Sequence, residues 1–184
     1  MNIVKSLKVK YRNFTGPTRV GQVTNLSDAA KQRYFANFEP YLDRASSGPH
    51  WLSDERIARL VADSLHFWDG KRYELLCYCI MPNHVHMVID LEGFAKLSAV
   101  GQFNKLSYQL SPILHSIKRY TAREGNKLLQ RTGAFWQHES YDHVVRDNRE
   151  LKRIVAYVLH NPVQAGFVED WIQWQGSYVH RDFV

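Results

Sequence analysis

Two apolar runs, Tyr73 to Ile80 and Val85 to Asp90, are joined by a corner of a few residues, Met81-Pro82-Asn83-His84, and this spacing constrains the fold more than any other feature of the chain. Each run has the length and the aromatic and β-branched content of a strand. Pro and Asn mark the corner. A connection this short cannot make the crossover that parallel strands need, so the pair is expected to be antiparallel. Along the second strand His84 and His86 point to one face while Val85 and Met87 point to the other. Two imidazoles on one face can reach a single ion. The same spacing also serves ordinary polar packing.

Around this pair the sequence reads as helices, giving an α/β (α+β) fold. Residues 27 to 38 suggest a helix, and Pro40, Ser46, Ser47, Gly48 and Pro49 a loop. Ser53 can cap a second helix, with Leu52 stapled on Ile57. Ile57, Leu60, Val61, Leu65 and Trp68 then recur at helical spacing before the Asp69-Gly70 turn. Ser98 can open a short helix near residues 101 to 108. Ser111-Pro112 marks a new start, because proline loses no needed hydrogen bond in a first turn, and that helix is expected to run to about Gln130. An extended segment within residues 135 to 145 follows. Asp147-Asn148-Arg149-Glu150 resembles a capping box, opening a helix whose apolar stripe is Leu151, Ile154, Val155 and Val158 and which Asn161-Pro162 is expected to stop.

With 184 residues, 45% of them apolar, the chain can bury a substantial core, and one domain over residues 1–184 is expected. Lys5, Lys8, Lys10, Arg12 and Arg19 precede the first acidic residue, Asp28, so residues 1 to 27 form either a basic arm or a first strand. A formal charge of +6 favours a polyanionic partner without requiring one. No apolar run reaches the roughly 18 to 20 residues of a membrane span, and no secretory segment is evident, so a cytoplasmic protein without a membrane partner is expected. Cys77 and Cys79 fit neither a disulfide nor a structural zinc spacing and read as core thiols.

Tyr157 and Asn161 lie four apart near the end of the last helix and so share a side. Packed beside the histidine strand, the phenol of Tyr157 can face a metal-bound phosphate and attack it. Both residues have plainer readings, Tyr157 as a packing residue and Asn161 as a helix C-cap. His115, Arg119, Arg123 and Lys127 recur at intervals of four, with Arg131 beyond, forming a phosphate-binding line or a solvated face. Trp136 and Tyr141 can stack on unpaired bases or pack internally. His138 and His143 are candidates for supporting the metal ligands, while His160 reads as exposed or structural.

Met81-Pro82-Asn83-His84-Val85-His86, Gly133-Ala134-Phe135-Trp136-Gln137, Tyr141-Asp142-His143, Tyr157-Val158-Leu159-His160-Asn161-Pro162-Val163 and Ala165-Gly166 together resemble the REP-associated tyrosine transposases of the HUH single-strand nuclease superfamily, over roughly residues 30 to 175. The resemblance implies a compact HUH-type domain with a central antiparallel sheet and a ferredoxin/RRM-like core. It implies Mg2+ or Mn2+ on His84, His86 and Asn161, Tyr157 as the single nucleophile, and no nucleotide cofactor. It further implies cleavage and rejoining of single-stranded DNA bearing a repeat-derived hairpin, through a 5'-phosphotyrosine, by a nucleoid-associated monomer or homodimer. Relatives often begin with an aromatic, β-branched strand, whereas this chain offers only Leu7-Lys8-Val9-Lys10-Tyr11 there. Two other readings stand beside this one: a phosphodiesterase using metal-bound water, and an inactive HUH-like regulator that binds hairpins without cutting them.

Overall fold

The computed structural model describes residues 6–12, 48–91, 94, 105–137 and 141–183. Five strands form one sheet: β1 (Ser6–Arg12), β2 (Glu74–Met81), β3 (His84–Asp90), β4 (Tyr141–Val145) and β5 (Ser177–Val179). Their order across the sheet is β4-β1-β3-β2-β5. The β2–β3 hairpin is antiparallel as its short corner requires, with Met81 opposite His84 and Cys79 opposite His86. β5 adds antiparallel to β2 and was not anticipated from its three residues. The weak amino-terminal segment is a strand after all: β1 runs parallel to β3 on one side and to β4 on the other, so the antiparallel half of the sheet continues into a parallel half.

Among the described residues three long helices cover the sheet: α1 (Glu55–Trp68), α2 (Lys105–Leu128) and α3 (Asn148–Gln164). α1 and α2 pack on one face, where Ile57, Val61, Leu65 and Ile117 meet Val85, Met87 and Ile89 in a single buried cluster. α3 lies on the opposite face, with Leu151, Ile154, Val155 and Val158 against Cys77, Cys79, Met81 and Val88. An irregularity in the pairing between Leu75 and Cys77 lets Leu75 join the first cluster while Leu76 and Cys77 join the second. Both cysteines are buried, and neither is part of a disulfide. Among the described residues no helix is long and apolar enough to cross a membrane.

Several expected boundaries shift, each for a local reason. The cap of α1 is Asp54, whose carboxylate accepts from the Arg56 N–H, because Ser53 is drawn into a preceding 3-10 turn, Trp51–Ser53. α2 begins at Lys105 and carries Pro112 within it. Pro112 is exposed, and it removes a single hydrogen bond from a helix that keeps its other contacts. Tyr120 and Leu128 on α2 are 47% and 39% exposed, because the buried stripe follows Ile113, Ile117 and Thr121. The start of α3 agrees with its signal: Asp147 Oδ1 accepts from the Glu150 N–H at 2.8 Å, and Glu150 reaches back to the Arg146 N–H at 2.7 Å. Its end does not, because α3 continues through Pro162 to Gln164 and closes on Gly166 at φ +72°. The expected helices at 27–38 and near 101 lie outside the described residues, the second in its first part.

Candidate active site

His84, His86 and Val88 alternate along β3 with Val85, Met87 and Ile89, so the two imidazoles project on the side that α3 covers. Their Nε2 atoms stand 3.0 Å apart, and the rings meet nearly edge to face at 82°. Asn83, not singled out from the sequence, supports the first ring: its Oδ1 lies 2.8 Å from His84 Nδ1. A proton on Nδ1 donates to that amide oxygen and leaves the Nε2 lone pair directed at the space between the rings. Asn83 sat beside the histidines in the quoted motif, and a second polar residue at a hairpin corner was the available signal. Here it does more than turn the chain.

Tyr157 reaches the pair from above. Its ring centre is 5.9 Å from that of His86, with the planes at 89°, and its hydroxyl is buried. Asn161 follows one turn later on the same side and is itself buried, at 5% exposure. Its amide Nδ2 has no hydrogen-bond partner among the described residues. The C-cap reading of Asn161 is thereby corrected: Ala165 is the cap residue, and the Asn161 carbonyl accepts the Ala165 N–H at 3.0 Å inside the last turn. A buried amide with an unsatisfied end is expensive, so its retention points to a ligand. Nitrogen and oxygen of an amide are assigned from their hydrogen bonds, and here the unpartnered end can equally be the oxygen, the atom that a hard cation takes.

The spacing of the two imidazoles suits a small divalent ion. Adjacent ligands of an octahedral ion, each about 2.1 Å from it, lie about 3.0 Å from one another, which is the spacing of the two Nε2 atoms. Among the described residues no three His, Cys, Asp or Glu side chains gather around a common point, so the candidate set is two imidazoles and one amide. His84 is 4% and His86 1% exposed. The Tyr157 hydroxyl is buried with them.

The other candidates separate into those near this face and those across the sheet. Arg119, Arg123 and Lys127 are exposed on α2, which packs on the face opposite the imidazoles. Arg123 and Lys127 are both engaged by Glu124, at 2.6 and 3.2 Å, and together they hold its carboxyl below the usual range. Arg131 is a structural residue: its guanidinium lies 3.8 Å from the centre of the Trp51 ring and donates to Asn126 Oδ1 and to the Ala134 carbonyl. Trp136 is corrected as a base-stacking residue, because it is 7% exposed in the core and its Nε1 donates to Thr121 Oγ1 at 2.8 Å. Tyr141 and His143 lie on β4 in register with Lys8 and Lys10 of β1, and Lys8 is in register with His86. His138 lies outside the described residues. His160 is exposed, as read, with Nδ1 3.0 Å from the Ala156 carbonyl.

Comparison with known proteins gives two relatives. Over 112 residues the chain is 29% identical to a Haemophilus influenzae protein provisionally named a REP-associated tyrosine transposase, covering 60% of this chain and 61% of the relative. Over 111 residues it is 26% identical to the REP-associated tyrosine transposase of Escherichia coli K12, covering 60% of this chain and 56% of the relative. The matches thus span about three fifths of the length of either relative. No family model matches the chain. No solved structure matches it significantly.

Proposed function

We propose that the chain is a member of the family for which both relatives are named, the REP-associated tyrosine transposases, and that it cuts and rejoins single-stranded DNA through a covalent bond to Tyr157. One observation carries the reading: a tyrosine ring set edge-on, 5.9 Å from one of two imidazoles whose Nε2 atoms converge to 3.0 Å. A packing tyrosine has no need of such neighbours. A nucleophile does, because the phosphate it attacks must be held and its charge offset.

His84, His86 and Asn161 are the residues that would hold Mg2+ or Mn2+, which, when bound, would polarise the scissile phosphate as a Lewis acid. Asn83 keeps His84 in the tautomer that offers Nε2 inward. Tyr157 Oη forms a bond to phosphorus as the bond from phosphorus to the 3' oxygen breaks. The phenol gives up its proton and the departing 3' oxygen takes one, leaving a 5'-phosphotyrosine and a free 3' hydroxyl. The bond energy is conserved in the ester, so a 3' hydroxyl can reverse the step without a nucleotide cofactor. Single-stranded DNA with a repeat-derived hairpin is the proposed substrate, in keeping with the names of the relatives.

The test is capture of the adduct. A labelled hairpin with single-stranded flanks, incubated with the protein and Mn2+, is expected to become attached to the peptide that carries Tyr157, as read by denaturing gel and peptide mass spectrometry. Tyr157→Phe should abolish the adduct while DNA binding persists, since only the oxygen is removed. Cleavage without an adduct would assign the attack to water. Binding without cleavage across a panel of hairpins would make the protein a regulator, and an adduct on another tyrosine would overturn the assignment of Tyr157.

A further inference from the structure

The loop after α3 carries an aromatic pair that the proposed chemistry does not use, although Trp174 also rests on the core beneath α3. Phe167 and Trp174 stack with ring centres 5.4 Å apart and planes within 20°, and the Phe167 side is half open to solvent, at 50% exposure. Phe167 through its backbone and Trp174 through its ring are each tied to a residue that adjoins the site. The Phe167 N–H donates to the carbonyl of Pro162, the neighbour of Asn161, at 2.9 Å. Trp174 Nε1 donates at 3.0 Å to the carbonyl of Ile80, whose neighbour Met81 is in register with His84. Gly176 is needed for this: a Cβ there would stand 2.7 Å from both the Ile80 carbonyl oxygen and Trp174 Nε1. The pair is thus a fixed shelf beside the imidazole end of the sheet.

Resting on the reading of Tyr157 given above, we propose that Phe167, backed by Trp174, is the stacking platform for an unpaired base next to the phosphate that Tyr157 attacks. The alternatives among the described residues are poor. Trp136 is buried and hydrogen-bonded, and the other exposed aromatic rings, Phe67 and Tyr120, sit on α1 and α2, which cover the far face of the sheet. Phe67 and Tyr120 also already have a cation nearby, Lys71 and Arg123 respectively. Away from Phe167, Trp174 lines with Ile80 and with Glu55, Ala58, Arg59 and Ala62 of α1 a separate cleft of about 550 Å3, which lies toward the face opposite the imidazoles. Stacking on a rigid ring is tolerant of sequence, since every base has a π face.

The experiment scans a fluorescent hairpin with single abasic sites along its flanks and measures binding to the full chain, to Phe167→Ala and to Phe167→Trp. For the unaltered protein, one abasic position is expected to weaken binding about tenfold, the effect of losing one stacked base. Phe167→Ala should weaken the intact hairpin by a similar factor and show no further loss at that abasic position, while Phe167→Trp restores both. Unaltered melting of Phe167→Ala separates loss of stacking from loss of fold. Overturning outcomes are affinity unchanged in a folded Phe167→Ala, or an abasic profile that persists in it. Sedimentation in which that substitution dissociates a dimer while DNA affinity stays unchanged assigns the face to a second copy and also overturns the proposal. If the unaltered protein neither binds the hairpins nor forms the adduct, the reading of Tyr157 falls as well; if it forms the adduct and only the Phe167 results fail, the platform alone is wrong.

Discussion

Asn161 separates a residue kept for packing from one kept for a ligand, and Asn161→Leu tests the difference without reference to activity. The two side chains branch at the same carbon and are nearly equal in size, so the substitution replaces a buried amide by an apolar group with little change of shape. Removing one unsatisfied buried polar end returns about 1 to 3 kcal/mol, and the polar imidazoles on this face of the sheet argue for the low end, about 1 kcal/mol. Leucine is also the better helix former, worth a few tenths of a kcal/mol more in the last turn of α3. For a chain of 150 to 250 residues about 1 kcal/mol moves the Tm by about 2 to 4 °C. The metal-free variant is therefore expected to melt slightly higher than the unaltered protein. Mn2+ at about a hundred times its Kd should stabilise the unaltered protein by about 2.7 kcal/mol, or about 5 to 10 °C, and should do much less for the variant, which retains only the two imidazoles. Melting followed by circular dichroism with and without Mn2+ gives both numbers. A variant that melts lower than the unaltered protein and keeps the full Mn2+ shift would refute the argument, since Asn161 would then be a packing residue with no part in metal binding.

Three further outcomes follow from other contacts. Thr121→Val strands the buried Trp136 Nε1–H and should cost about 1 to 3 kcal/mol, measured by denaturant titration; a loss below about 0.5 kcal/mol would mean that the indole finds another acceptor. Arg149 and Arg153 are exposed at intervals of four along α3 toward Tyr157, and replacing both by Ala should lower the salt slope of single-strand binding by about 1.4, against a smaller change for Arg119, Arg123 and Lys127 replaced together; equal or reversed slopes would redirect the DNA path over α2. Burial raises the Cys79 thiol from 9.0 to about 12. A thiol held protonated in the folded state while the unfolded chain ionises contributes stability that is intact below about pH 9 and lost as pH rises toward 12. Cys79→Ala should flatten that alkaline decline in Tm, and an unchanged slope would place its origin elsewhere.

The legible parts of the sequence are those in which a local pattern and its tertiary use coincide. The β2–β3 corner, the stripe of α1 and the cap of α3 each announce themselves within a few residues, and each is present. Proline was over-read in two places. Pro112 and Pro162 both lie inside helices, because a proline removes one N–H and its neighbours on α2 and α3 keep the rest of the helix packed. The basic line on α2 and the aromatic Trp136 were legible as residue types but not as positions, since spacing along one helix does not say which face of the sheet that helix covers. β5 was illegible for a related reason: three residues hold a place only because β2 offers them an edge.

That last point bears on the site itself. The face bearing His84 and His86 is roofed by α3 and flanked by the segment that follows it, so Tyr157, Asn161, Phe167 and Trp174 all belong to one continuous stretch of chain anchored at Ile80 and Pro162. A strand reaching Tyr157 would meet the aromatic shelf next to it, whereas the cations of α2 sit behind the sheet. Substrate holding and chemistry are therefore expected to be coupled through α3 and its loop. The Gly176 position is where that coupling is most exposed, since any side chain there would push the Trp174 ring from the Ile80 carbonyl. Gly176→Ala should consequently weaken single-strand binding and lower adduct yield together, read by fluorescence anisotropy and adduct gel on the same preparation. Loss of adduct with binding intact would show that the shelf and the nucleophile act independently, and would detach the loop from the proposed path of the DNA.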